Sequence, residues 1–163
     1  MIRRFQLQIP PSALTPISKI LRSRYLTGSR VTSTFENEFA KYVERRYAVA
    51  VSSGTAALHL ALLGIGVKGG SEVILPSFTY HAAAAAVVQC GARPVLVDVD
   101  AKTMCIDPEE ISDAVTDKTR AIIVTHFAGH PCDMKPICQI AREHHVAVIE
   151  DAAQSLGADY AGR

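Results

Sequence analysis

Val146-Ala147-Val148-Ile149-Glu150-Asp151-Ala152-Ala153-Gln154-Ser155 decides how this chain is read. Its four leading apolar residues form a short continuous run, which reads as a buried strand, and the run ends on two acids. Buried strands rarely stop on paired carboxylates without a use for them. In an open α/β sheet the carboxyl ends of the strands are where ligands sit. Asp151 is therefore expected at such a strand end, placed to meet a cationic ring nitrogen.

Working outward, the same kind of apolar run recurs at 48–52, 72–75, 94–97 and 121–125. Helical stretches are expected between the runs, at 55–63, 79–89, 108–115 and 134–144, with loops punctuated by Gly69-Gly70, Gly91 and Asp107-Pro108. Strand alternating with helix means βαβ units, hence an α/β fold with a mostly parallel sheet and helices on both faces. Ahead of residue 48, helices are expected at 18–25 and 34–47. In the second of these, Phe35, Phe39, Tyr42 and Val43 fall on one face, and Thr34 is the expected cap. Residues 1–16, with Pro10, Pro11 and Pro16, read as an irregular arm, and 17–163 as one incomplete domain. The chain closes on Tyr160-Ala161-Gly162-Arg163 with no helix after the last strand, so the sheet is expected to be truncated.

Composition narrows the function classes. A formal net charge of +1, with no run of like sign, gives no electrostatic case for nucleic acid or an anionic membrane. Hydrophobic content of 48% and charged content of 20% suit an ordinary globular protein. The longest apolar stretch, 82–88, is far short of a membrane span. Cys90, Cys105, Cys132 and Cys138 lack zinc-ribbon or redox spacing and read as free thiols in a reducing cytoplasm.

Three stretches carry candidate chemistry. Ser53-Gly54-Thr55-Ala56-Ala57-Leu58 joins an expected strand to an expected helix, and open amides at Thr55 and Ala56 plus the helix dipole would suit a phosphate. The same residues also make a plain capped helix with Ser53 as the cap. Pro76-Ser77-Phe78-Thr79-Tyr80-His81 sets aromatics and hydroxyls at the sheet edge, where Tyr80 could stack on a planar ligand or where either aromatic could fill the core. Asp151 with Gln154 is the third. A carboxylate against a pyridine nitrogen keeps it protonated, which makes the ring an electron sink, while Gln154 could reach a ring hydroxyl. Alternatively, Glu150 and Asp151 cap the following turn in solvent. His126 and His130, four apart with Cys132 nearby, carry no expected metal site, and His59 reads as a core histidine.

Taken together these residues resemble a known family. Tyr25-Leu26-Thr27-Gly28, Ser53 to Leu58, Pro76 to Tyr80, Val97-Asp98-Val99-Asp100 and Glu150 to Gln154 occur in the order and spacing of the DegT/DnrJ/EryC1/StrS aminotransferases, from about residue 17 to Arg163. The resemblance implies the large domain of the aspartate aminotransferase-like fold (pyridoxal phosphate fold type I) and the cofactor pyridoxal 5′-phosphate. It implies that Gly54, Thr55 and Ala56 hold the cofactor phosphate, Tyr80 stacks on the ring, Asp151 pairs with the ring nitrogen and Gln154 meets the ring hydroxyl. Thr27, Gly28 and His126 fall on its substrate side. The implied reaction converts a keto group on a nucleotide-linked sugar to an amine, with glutamate as the usual donor, in a homodimer with shared sites.

The family's Schiff-base lysine lies downstream of the motif at Glu150, and no lysine follows Asp151 here. Covalent catalysis needs that amine, so the 163 residues alone are expected to be inactive. Two other readings stay open: the dehydratase branch, in which a histidine replaces the lysine, and a non-catalytic fragment that only pairs with a partner chain. A dinucleotide-binding domain is disfavoured, because no GxGxxG follows an expected strand.

Overall fold

A computed structural model describes residues 9–23, 25 and 30–162. Its contacts fall into two compact units, Met1–Ala50 and Val51–Arg163. In the first, helix α1 spans Pro11–Arg22 and α2 spans Arg30–Tyr42. The irregular arm is thus corrected from residue 11 onward. Pro11 stands in the first turn, where a missing N–H and a fixed φ suit a helix, although Pro16 removes one bond further in.

Helix α2 also starts and stops earlier than the expected 34–47. Thr34 lies inside it and donates its hydroxyl to the Arg30 carbonyl at 2.9 Å, so it is no cap. Glu44 takes a positive φ of 51° just past the end, which no helix can continue through. The expected aromatic face does form, with Phe35 and Phe39 centroids 5.6 Å apart and Phe39 and Tyr42 6.5 Å apart. The apolar run 48–52 is not a strand: it joins no ladder among the described residues. Tyr47 and Val49 around it are 71% and 75% exposed. A run of β-formers needs a neighbour to bond, and apolar pattern alone does not supply one.

The second unit is the expected α/β layer structure. Four strands, β1 (Glu72–Pro76), β2 (Arg93–Val97), β3 (Thr119–Thr125) and β4 (Ala147–Asp151), form an all-parallel sheet in the order β2-β1-β3-β4. Helices α3 (Gly54–Gly64), α4 (Ala82–Gln89), α5 (Pro108–Ala114) and α6 (Met134–Glu143) cover it. Side chains alternate along a strand, so each strand feeds two cores. Val73, Leu75, Ala121, Ile123 and Ile149 pack with Leu58 and Leu62 of α3 and with α4. Ile74, Val97, Ile122, Val124 and Val148 pack with Ile111 of α5 and Ile137 of α6.

The path explains why the helices divide this way. From β1 the chain steps outward to β2, then crosses back over β1 to β3 and β4. Right-handed crossovers in opposite directions set their helices on opposite faces. The turn of direction falls between β1 and β3, and the crevice at their carboxyl ends is the natural ligand position of such a sheet.

Candidate functional site

The turn after Gly64 sets the orientation of helix α3. It leads into β1 at the amino edge of the sheet, where Gly69 and Gly91 are neighbours, a Cβ on Gly91 falling in ordinary contact at 3.7 Å from the Gly69 backbone. The helix has 11 residues and spans about 16 Å, close to the length of a five-residue strand. It therefore runs back along the sheet, and its first turn lies at the carboxyl edge.

That first turn is partly used. Ser53 is the N-cap, and its hydroxyl accepts the Ala56 N–H at 3.2 Å. The expectation of an open Ala56 amide is therefore corrected, because the cap consumes it. The Gly54 and Thr55 amides, the first two of the helix, have no intrahelical acceptor. Nothing lies within 4 Å of where a Cβ on Gly54 would stand, so the space beside this first residue is open.

Strand alternation places the acids. Ile149 belongs to the α3 face and Val148 to the α5–α6 face, so Asp151 points to the α3 side and Glu150 to the other. The two carboxylates, taken from sequence as a pair, are separated by the sheet. Both are inside β4, with Glu150 opposite Val124 and Asp151 opposite Thr125, which corrects a strand ending at Ile149. One Asp151 oxygen accepts the Ala153 N–H at 3.1 Å, and the other has no hydrogen-bond partner among the described residues. Gln154, an exposed residue, accepts the Ala128 N–H at its side-chain oxygen at 2.8 Å.

The loops of the switch point are tied together at this edge. Thr79 and Thr125 share a hydroxyl hydrogen bond of 2.9 Å, and the rings of Phe78 and Phe127 lie 4.9 Å apart. Phe78 is thus held by an aromatic partner, whereas Tyr80 is 67% exposed and is not core. The Tyr80 ring leans on His81, with centroids 4.3 Å apart.

His126 lies deeper than its place in the sequence suggests. Its side chain is 7% exposed, its Nδ1 accepts the Cys132 N–H at 3.1 Å and its Nε2 faces Glu150 Oε2 at 2.9 Å. Both ring nitrogens are thus engaged within the fold. Burial, with Cys105 beside it, pushes the Cys132 thiol up to about 12, so it stays protonated and donates to the Thr125 carbonyl at 3.2 Å. His59 is only half-buried in α3, and Thr27 and Gly28 lie outside the described residues. The four cysteines are free thiols.

A separate cleft of about 590 Å³ includes Asp100, Asp107, Asp133 and Tyr160 in its lining. Asp100 accepts from Thr103 and Lys102, Asp107 caps α5 through the Glu109 N–H, and Asp133 accepts from the Tyr160 hydroxyl. These acids are engaged by the fold. Among the described residues no helix is long and apolar enough to cross a membrane, and no His, Cys, Asp and Glu group is arranged to hold a metal ion.

The DegT/DnrJ/EryC1/StrS aminotransferase family model matches residues 9–163. A GDP-perosamine synthase of Caulobacter vibrioides is 48% identical over 129 residues, covering 79% of this chain and 35% of its own. An aminotransferase from Psychrobacter cryohalolentis superposes with a TM-score of 0.92 at 40% identity, over 96% of this chain and 40% of its own. A GDP-4-keto-6-deoxymannose-3-dehydratase, solved with a trapped PLP-glutamate adduct, superposes with a TM-score of 0.90 at 29% identity, over 97% of this chain and 42% of its own. The chain spans from 35% to 42% of the length of the curated relatives it matches. Sequence and fold agree: this chain belongs to the DegT/DnrJ/EryC1/StrS aminotransferase family.

Proposed function

We propose that these residues form the cofactor-holding part of a pyridoxal 5′-phosphate-dependent aminotransferase acting on nucleotide-linked keto sugars. The observation that carries the reading is the alternation along β4. It sets Asp151 on the α3 face, at the sheet edge where the α3 amides of Gly54 and Thr55 have no intrahelical acceptor. The fit is chemical on both ends. Two amides without an intrahelical acceptor, the Thr55 hydroxyl and the positive end of α3 suit a phosphate, with Ala56 shaping the turn through its bond to Ser53. The Asp151 oxygen without a partner among the described residues suits a protonated ring nitrogen, and the side-chain amide of exposed Gln154 suits a ring hydroxyl. Tyr80, exposed beside the same edge, supplies an aromatic face for the ring.

When bound, the cofactor supplies an electron sink for a carbanion. Asp151 holds the proton on the ring nitrogen, while Gly54 and Thr55 fix the phosphate end and so set the orientation of the ring. Within these 163 residues no lysine follows Asp151, so the role proposed for this stretch is binding and orientation. Glutamate as amino donor is supported by the adduct named for the dehydratase relative. A cytoplasmic homodimer is the assembly proposed. The dehydratase branch of the family is a second reading, supported by the same relative's TM-score of 0.90.

Pyridoxamine 5′-phosphate tests the site without needing a lysine, because its own amine forms no Schiff base with the protein. Fluorescence titration is expected to show saturable binding at one site per chain, weakened by Asp151→Ala. Absence of saturable binding, or binding indifferent to Asp151, would overturn the reading.

A further inference from the structure

We propose that His126 is a positioning residue that clamps the end of β4 from the α5–α6 side and thereby sets Asp151 and Gln154 for the cofactor ring. The inference rests on the cofactor reading above and assigns His126 a role that acts through Asp151 and Gln154. His126 holds β4 at two points. Its backbone N–H donates to the Asp151 carbonyl at 3.3 Å, and its Nε2 meets Glu150 Oε2 at 2.9 Å.

The ring has little freedom. A backbone N–H can only donate, so the Cys132 amide at 3.1 Å requires an unprotonated Nδ1, and the ring proton stands on Nε2 facing Glu150. The pair therefore has a defined direction: Cys132 N–H to His126, His126 to the Glu150 carboxylate. Hydrogen bonds to a charged group are the stronger kind. Held this way, Glu150 is tied to the face of the strand opposite Asp151.

The turn after His126 completes the clamp. Ala128 takes a left-handed φ of 53° and donates its N–H to the Gln154 side chain. Gly129, at φ 86°, lies so close that a Cβ would sit 3.3 Å from the Gln154 carbonyl oxygen. A non-glycine residue in that region costs about 1 kcal/mol, and such strain persists where the surroundings over-determine it. One loop, 126–132, thus grips both residues proposed to read the ring.

The test uses the full 163-residue chain and pyridoxamine 5′-phosphate labelled with ¹⁵N in the ring, whose nitrogen resonance reports protonation. His126→Asn keeps an acceptor for Cys132 and loses the donor to Glu150; His126→Gln does the reverse. The expected result for His126→Asn is affinity weakened about three- to tenfold, the size of one lost hydrogen bond, with the ring resonance displaced toward the unprotonated position. His126→Gln is expected to restore most of the wild-type resonance. If His126→Asn fails to fold, Glu150→Ala breaks the same pair from its 51%-exposed partner and is expected to shift the resonance in the same direction. Wild-type affinity and resonance in the folded variants would overturn the clamp while leaving the cofactor site standing. A wild-type chain that binds no pyridoxamine 5′-phosphate would overturn both.

Discussion

The two edges of the sheet treat their carboxylates in opposite ways. At the amino edge, Glu72 of β1 is 7% exposed, with one oxygen accepting from Arg93 at 2.7 Å and the other from the Thr116 hydroxyl at 2.7 Å. At the carboxyl edge, Asp151 has one oxygen engaged by a turn amide and one without a partner among the described residues. A buried carboxylate with both oxygens bonded is part of the frame. A carboxylate left half-bonded, on the same face as an open helix N-terminus, is available to a ligand. The cofactor role proposed for Asp151 rests on that second oxygen.

The largest effect expected strikes both edges at once. Ile122 of β3 is fully buried on the α5–α6 face, and Ile122→Ala is expected to cost about 2–5 kcal/mol, read from denaturant unfolding. Next come the acids themselves. Glu72→Ala is expected to destabilise the chain by about 1–3 kcal/mol while leaving pyridoxamine 5′-phosphate affinity unchanged. Asp151→Asn is expected to reverse that pattern, with affinity falling about tenfold or more and the unfolding midpoint unmoved. Loss of affinity in the first, or loss of stability in the second, would erase the distinction between the edges.

A smaller effect is expected from acid. Hydrogen bonds from Arg93 and then Thr116 hold the Glu72 carboxyl below its ordinary 4.5. A group whose folded value is depressed contributes stability above its unfolded value and loses it as pH falls through the folded one. Wild-type stability should therefore decline below about pH 4.5 more steeply than that of Glu72→Gln, measured as unfolding midpoints across pH. Gly54→Ala should matter least to the fold. The added Cβ meets nothing within 4 Å, and the expected change is within about 1 kcal/mol, seen as a nearly unshifted thermal midpoint.

Much of the frame was legible in the sequence, and for a definite reason. Strands β1 to β4 and helices α3 to α6 each carry their own local signal: an apolar run, a proline at a helix start, a glycine at a turn. The run 48–52 carried the same signal and failed, because a ladder depends on a neighbour that local sequence does not describe. Arg30–Tyr42 likewise began ahead of Thr34, whose hydroxyl found a helical carbonyl instead of capping.

The site divides along the same line. Sequence by itself determined which residues have suitable chemistry: Gly54, Thr55, Tyr80, Asp151 and Gln154 at the ends of strands and the start of a helix. Only the tertiary structure decided how they are used. It drew His126 inside to meet Glu150 and Cys132, and it brought the Gln154 side chain to the Ala128 N–H. Residue type and spacing are local properties of the chain. The pairings that lock the site's loops have partners from 6 to 46 residues away, such as Cys132 for His126 and Thr125 for Thr79, and those meet only when the sheet is assembled.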